Sequence, residues 1–388
     1  MTRARGAAVA ALGPLAAALL LMLALGVFHA WSLFVPDLED RLDLSRAAVS
    51  SVYALAVGPF ALGMLMAPAL LRRMPPAACA AAAGLVAAAG LLVASTGAAW
   101  ALWVGFAGLF GLANGVGYIV ALQVIQVALP RRRGLATSLA VTAYAAGPAL
   151  LIPLLELSIR RLGVFDTFAL IAAGVALLGA LQLALLRGFR LPAPEPHHER
   201  LPVYDRTFRV LWVSFFLAAA AGLATLAHAA GIVSSLGGGA ATAALGAALI
   251  ALGNAVGRLV GGSLTDLLEV RWVLLAAGAF GAGALVAGAG IGTAAAGLAA
   301  VAGAGLSYGA ISSTYPAAVG HFYGTARLGR VYARLFTAWA AAGLTAPVAA
   351  GVVFDAAESY TIVLIVAALA ALGSGAVALM LPSARGQE

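Results

Sequence analysis

Long apolar runs, broken by short polar stretches, dominate the 388-residue chain. A helix rises 1.5 Å per residue and the hydrocarbon core of a bilayer is about 30 Å thick, so roughly 20 apolar residues suffice to cross it. Twelve stretches meet that requirement: 12–35, 47–71, 77–97, 100–128, 134–158, 165–187, 209–234, 240–264, 272–291, 294–319, 331–353 and 360–381. The first, in "MTRARGAAVAALGPLAAALLLMLALGVFHAW", begins like a secretory leader. Its apolar part is too long for one and similar runs follow, so it reads as a first, uncleaved span. The longest polar stretch, "RGFRLPAPEPHHERLPVYDRTFR" from Arg187 to Arg209, separates six spans from six. Its prolines and mixed charges predict an extended linker. The expected organisation is therefore an N-terminal six-helix half at 1–187, a cytoplasmic linker at 188–208 and a C-terminal half at 209–388. An all-α membrane protein of twelve transmembrane helices in two pseudo-symmetric six-helix halves is the plan of a secondary transporter.

Composition supports lipid as the solvent. The chain is 63% hydrophobic and 9% charged, against about 25% charged in soluble domains. The 47 glycines suit helices whose backbones pack closely in a membrane. All 22 basic residues are arginine, and the net charge is +8. They are scattered in twos and threes between spans, with no contiguous basic stripe, so nucleic acid is not expected as a partner. With both termini in the cytoplasm, seventeen arginines fall inside and four (Arg41, Arg46, Arg160, Arg161) outside, as the positive-inside rule requires. The expected location is a bacterial-type cytoplasmic membrane. Cys79 is the only cysteine, so neither an intrachain disulfide nor a thiolate metal site can form. His197 and His198 lie in the linker without partner ligands nearby and read as solvated loop residues. The glycine patterns "GNAVG" and "NGVGY" lack the preceding strand and following Gly-Lys-Ser/Thr of a phosphate loop. No cofactor or metal is expected, so transport would draw on ion or solute gradients.

One charge breaks the pattern. Arg258 lies eight residues before Asp266 in "ALGNAVGRLVGGSLTDLLEVR", about 12 Å along a helix from the charged end marked by Asp266 and Arg271. An arginine within the membrane costs on the order of 3 kcal/mol on insertion scales and cannot lose its proton. No acidic residue lies near the middle of another span; Glu156 sits toward the outer end of its own, one turn from Arg160. A substrate carboxylate matches a guanidinium fork bidentately. The competing reading is that Arg258 snorkels to the surface or clamps backbone carbonyls. Asn254, four residues earlier on the same face, either shares that ligand or makes an ordinary interhelical hydrogen bond. His29 and His228 fall inside the first and seventh predicted spans. Each is a proton-coupling candidate, although a membrane histidine more often packs.

These residues sit in segments that resemble a known family. "GRLVGGSLTDLLEVR", with Gly262, Leu264, Asp266 and Arg271, resembles the cytoplasmic signature loop of the major facilitator superfamily. The family's later glycine is replaced by Glu269, and the corresponding first-half loop, "LMAPALLRRMPP", keeps Arg72 and Arg73 without the acid. "GVFHAWSLFVPDLEDRLDLSRAAVSSVYALAVGPF", "GLANGVGYIVALQVIQVALPRRRGLATSLA", "RLGVFDTF" and "GRVYARLFTAWAAAGLTAPVAAGVVFDAAESY" resemble the monocarboxylate transporter and oxalate/formate antiporter branch. The resemblance implies a carrier of small organic anions in which Arg258, with Asn254 one turn before it, holds the carboxylate. It implies that Tyr118 of the fourth span lines the cavity, where a membrane tyrosine can otherwise cap an interface, and that Asp266 and Arg271 belong to a gating loop. Asn114 lies on the same face one turn before Tyr118, and Tyr308 either lines an opposite wall or simply packs. Where eukaryotic proton symporters have an aspartate this chain has Asn254. Where oxalate exchangers have a lysine it has Trp339. One pocket cation suits a monoanion better than a dianion.

The expectation is a secondary active transporter for a lactate- or pyruvate-like monocarboxylate, working by alternating access with proton symport. The substrate would bind near mid-membrane between the halves, and the chain would act as a monomer. Organic-anion exchange is the alternative. Drug efflux is a weaker one, since a pocket for cations would carry an acid. A membrane sensor or scaffold would need an output domain longer than the linker or "PSARGQE" provides. An enzyme is not expected, because no nucleophile–base pair or metal-ligand set is visible.

Overall fold

The computed structural model describes residues 2–192 and 204–383; the expectations for His197, His198 and most of the linker lie outside these residues. Among the described residues the regular structure is entirely helical. Helix α1 (Thr2–Leu25) leads through a 3₁₀ segment (Gly26–Leu33) into the short α2 (Val35–Leu42). Then come α3 (Arg46–Arg73), α4 (Pro76–Ala94), α5 (Ala99–Ala128), α6 (Arg133–Leu162) and α7 (Val164–Leu185). The later part holds α8 (Arg206–Ser235), α9 (Ala240–Leu264), α10 (Val270–Ile291), α11 (Ala294–Tyr323), α12 (Leu328–Ala357) and α13 (Thr361–Ala378). Among the described residues eleven helices are long and apolar enough to cross a membrane. The 30-residue α6, over the stretch expected at 134–158, completes the twelve-helix arrangement.

The caps follow from the sequence. Ser45, Asp205 and Thr293 precede α3, α8 and α11 and accept the N–H of the residue three further on, at 3.2, 2.7 and 3.3 Å, satisfying donors that a helix start leaves open. Gly292 ends α10 in the left-handed conformation at φ 67°, which glycine adopts without penalty. Pro75 and Pro76 open α4, where proline's missing N–H is harmless.

Two departures from the expected spans matter. The stretch predicted as one helix over 12–35 ceases to be α-helical after Leu25. A methyl at Gly26 would overlap the Tyr144 carbonyl, so the chain passes close to α6 there. Pro36 then opens α2, which has no counterpart among the twelve predicted stretches. In α5, residues Leu102–Phe110 form a π-helix, an uncommon geometry often found at functional sites.

The chain divides into two compact units. The first comprises Met1–Arg131, Ala140–Glu195 and Thr325–Arg334. Its centre is aromatic: Phe28 stacks on Phe106 at 5.8 Å, and Trp31 packs at a tilt against Phe106 at 4.3 Å. The second comprises Arg132–Leu139, Pro196–Gly324 and Leu335–Glu388. Its tightest pairing is α9 on α11. Gly253, Gly257 and Gly261 recur every fourth residue on α9 and face Gly305 and Gly309 of α11. A methyl at Gly257 would overlap the Leu306 carbonyl, and one at Gly309 the Asn254 carbonyl. The small-residue stripe lets the two backbones touch and fixes where the next side chains on these helices stand.

Candidate functional site

In the second unit, Arg258 donates its Nε–H to Asn254 Oδ1 at 2.9 Å. Both stand on α9 beside the glycine stripe, one turn apart. On α11, Tyr308 is within electrostatic reach of the Arg258 guanidinium. Tyr308 is 4% exposed, and its ring lies where a side chain at position 222 would be, so Gly222 of α8 makes room for it. Trp339 of α12 donates its indole N–H to Tyr308 Oη at 2.7 Å and stacks on Phe336 with ring centres 4.8 Å apart. Four elements thus converge on one polar group, with Arg258, Asn254, Tyr308 and Trp339 in a connected arrangement. A small apolar cavity lies against Tyr308, lined by Gly222, Gly278, Gly281, Ala304 and Ser307. Arg258 does not line it; of the polar group only Tyr308 does.

The first unit has its own polar–aromatic cluster. Asn114 is fully buried; its Nδ2–H donates to the Leu25 carbonyl at 2.7 Å, and its Oδ1 accepts the Tyr144 hydroxyl at 3.0 Å. Leu25 is the last residue of α1, where carbonyls lose their regular helical donors. Tyr118 packs edge-on against Tyr144 at 5.1 Å and against Phe60 at 5.9 Å. His29, on the 3₁₀ segment, bonds Tyr53 Oη through Nδ1 at 2.7 Å and meets the Tyr144 ring edge-on at 5.2 Å. Tyr53 and Tyr144 were not singled out by the sequence reading. Their signal was available, since a polar group within the hydrocarbon core must find a partner.

The other predicted histidine, His228 of α8, bonds Tyr360 Oη through Nδ1 and the Pro347 carbonyl through Nε2, each at 3.0 Å. Asp266 accepts two backbone N–H groups at the start of α6, Gly134 to Oδ1 at 2.8 Å and Leu135 to Oδ2 at 2.9 Å. A methyl at Gly134 would overlap the Gly262 carbonyl, so only glycine admits this approach. Arg271 does not join that cap. It pairs with Glu269 at 2.7 Å and lies 5.2 Å over the Trp272 ring. Glu269, the departure from the family loop, is thereby the partner of the arginine the loop retains.

No family model matches the chain. It is 25% identical over 265 residues to the "Oxalate:formate antiporter" of Oxalobacter formigenes, covering 64% of this chain and 62% of that protein. It is 28% identical over 263 residues to the "Uncharacterized MFS-type transporter YhjX" of Escherichia coli (strain K12), covering 63% of each. The matches thus span less than two thirds of these relatives' length. Among solved structures, the fucose transporter FucP in the outward conformation superposes with a TM-score of 0.76 at 16% identity, over 96% of this chain and 100% of that one. The proton:xylose symporter XylE does so with a TM-score of 0.68 at 15% identity, over 96% of each. The chain is a multi-pass membrane protein with the fold of the major facilitator superfamily.

Proposed function

We propose that the chain is a secondary active transporter that moves a small monocarboxylate, of lactate or pyruvate size, across the cytoplasmic membrane by alternating access, with a proton in symport. The observation that carries this reading is the Asn254–Arg258 pair beside the Trp339–Tyr308 pair. Asn254 Oδ1 fixes the Arg258 guanidinium through Nε, which orients the plane whose outer N–H groups match a carboxylate. The Tyr308 oxygen already accepts from Trp339, and its hydroxyl is also a donor that suits the same anion. Trp339 stands at the position aligned with the lysine of oxalate exchangers, leaving one cation in this group and favouring a monoanion over a dianion. Asn254 cannot titrate, so the proton would travel with the substrate or on a histidine. Orientation follows the arginine distribution, with both termini in the cytoplasm, and the chain would act as a monomer.

Exchange of organic anions is the second reading, favoured by the likeness to the Oxalobacter antiporter. Reconstitution into proteoliposomes separates the two. Uptake of labelled L-lactate driven by an inward proton gradient, without counter-substrate inside, supports symport. Uptake that requires an internal carboxylate supports exchange. Undiminished carboxylate uptake by a folded Arg258→Ala variant would refute both.

A further inference from the structure

His228 is tied at both ring nitrogens, and its partners differ in kind. The Pro347 carbonyl can only accept, so Nε2 must carry a hydrogen. Tyr360 can donate or accept. A neutral imidazole therefore receives the phenol's hydrogen at Nδ1, whereas an imidazolium donates to the phenol's oxygen. The same 3.0 Å geometry serves both charge states, and no rearrangement is needed to take up a proton.

The clasp closes on a weak point. Pro347 lies inside α12, has no N–H, and leaves the carbonyl one turn earlier without its regular donor. Gly351, one turn on, approaches His228 closely enough that a methyl there would stand 3.8 Å from Cε1. Tyr360 is held from the other side, with its ring stacked on Phe354 at 4.3 Å. It lies between α12 and α13, outside the spans, where burial and then the nearby Asp355 carboxylate raise its hydroxyl above the usual phenol value and keep its hydrogen in place.

The charged surroundings are few. Asp355 of α12 and Glu358 of the following turn are exposed acids on the side that carries Tyr360. On α8 itself the arginines Arg209 and Arg206 are near the opposite end, about 28 and about 33 Å from His228 by helical rise. Helix α13 carries no titratable residue, and α11 carries none before Tyr308. On α9 the charged residue is Arg258, about 27 Å from that helix's start.

We infer that His228 is a proton-binding site that clasps α8 to the proline break of α12, tightening when it is charged. Hydrogen bonds from a charged donor are roughly twice as strong as neutral ones, so the hold strengthens when the ring takes a proton and weakens when it gives the proton up. This role differs from carrying the coupled proton and does not depend on which solute is transported.

His228→Gln tests it, because a glutamine amide can donate to Pro347 and accept from Tyr360 yet cannot titrate. Purified full-length wild type, His228→Gln and His228→Ala are melted in detergent at pH 8 and pH 5.5. Wild type and His228→Gln should melt together at pH 8. At pH 5.5 the wild type should exceed His228→Gln by about 2–4 °C, and His228→Ala should melt lower than both throughout. Hydrogen exchange of the amides flanking Pro347, corrected for intrinsic rate, should slow on acidification in wild type only. Parallel responses to pH in wild type and His228→Gln, by either readout, would overturn the inference.

Discussion

Trp339 on α12 donates its indole N–H to the hydroxyl of Tyr308 on α11 at 2.7 Å, so a side chain of one helix restrains the phenol of another. Removing that donor should cost recognition before it costs folding. A neutral hydrogen bond is worth about 0.5–1.5 kcal/mol. Trp339→Phe, which preserves stacking on Phe336, should therefore raise KM for L-lactate about three- to tenfold, with little change in melting temperature. Tyr308→Phe should do the same, and the double variant should fall short of the sum. Additive effects in that cycle would show that the two side chains act separately.

Asn254→Asp offers a test of the Arg258 assignment with charge as the variable. The new carboxylate would lie beside the guanidinium that Asn254 now holds and compete with the substrate for it. Binding of L-lactate, read by thermal shift at pH 7, should weaken strongly, whereas Asn254→Ser, which brings no carboxylate, should weaken it far less. Wild-type affinity at pH 7 would contradict the assignment.

The α6 cap predicts a graded series. Asp266→Ala loses both acceptors of the Gly134 and Leu135 N–H groups, which should cost about 1 kcal/mol and about 2–4 °C of melting temperature. Asp266→Asn retains one acceptor oxygen and should fall between. Gly134→Ala drives a methyl into the Gly262 backbone and should be the most damaging of the three. If it melts like wild type, the close approach at this position is wrong.

Backbone contact between α9 and α11 makes a different demand. Gly257→Ala would push against the Leu306 carbonyl, and overpacking of this kind costs about 1–3 kcal/mol. Size-exclusion profiles and melting curves should show a destabilised protein whose residual folded fraction binds substrate poorly, because Asn254 and Arg258 move with the helix. Gly283→Ala, on α10 with open space around it, is the control and should be silent.

Much of this was legible because lipid imposes a single length on every span. The twelve helices and the placement of Arg258 and Asn254 on one face all follow from spacing within one segment. Partnerships across the chain were not legible. Asn114 looked like a cavity-facing residue one turn before Tyr118, yet its amide is committed to the Leu25 carbonyl, 89 residues away, and to Tyr144. The break that frees that carbonyl depends on Gly26 meeting α6, which no local pattern announces. Asp266 was assigned to a gating loop from its motif, but its acceptance of α6 N–H groups joins residues more than 130 positions apart. Arg271 was grouped with Asp266 by the same motif, whereas the neighbouring Glu269 takes it.

The π-helical stretch Leu102–Phe110 carries a consequence for the evolution of this half of the molecule. Each π turn holds more residues than an α turn, so the stretch sets the rotational phase of everything downstream on α5. Relaxing the stretch to the α form at unchanged length would leave surplus residues to be wound into the helix, each turning everything that follows by about 100° and carrying Asn114 away from Tyr144 and Tyr118 off its ring. Deleting a surplus residue while the stretch relaxes would instead come close to keeping that phase. An unusual local geometry is thus locked in by distant side chains that have come to rely on its phase, and substitutions that straighten the segment at constant length should be poorly tolerated.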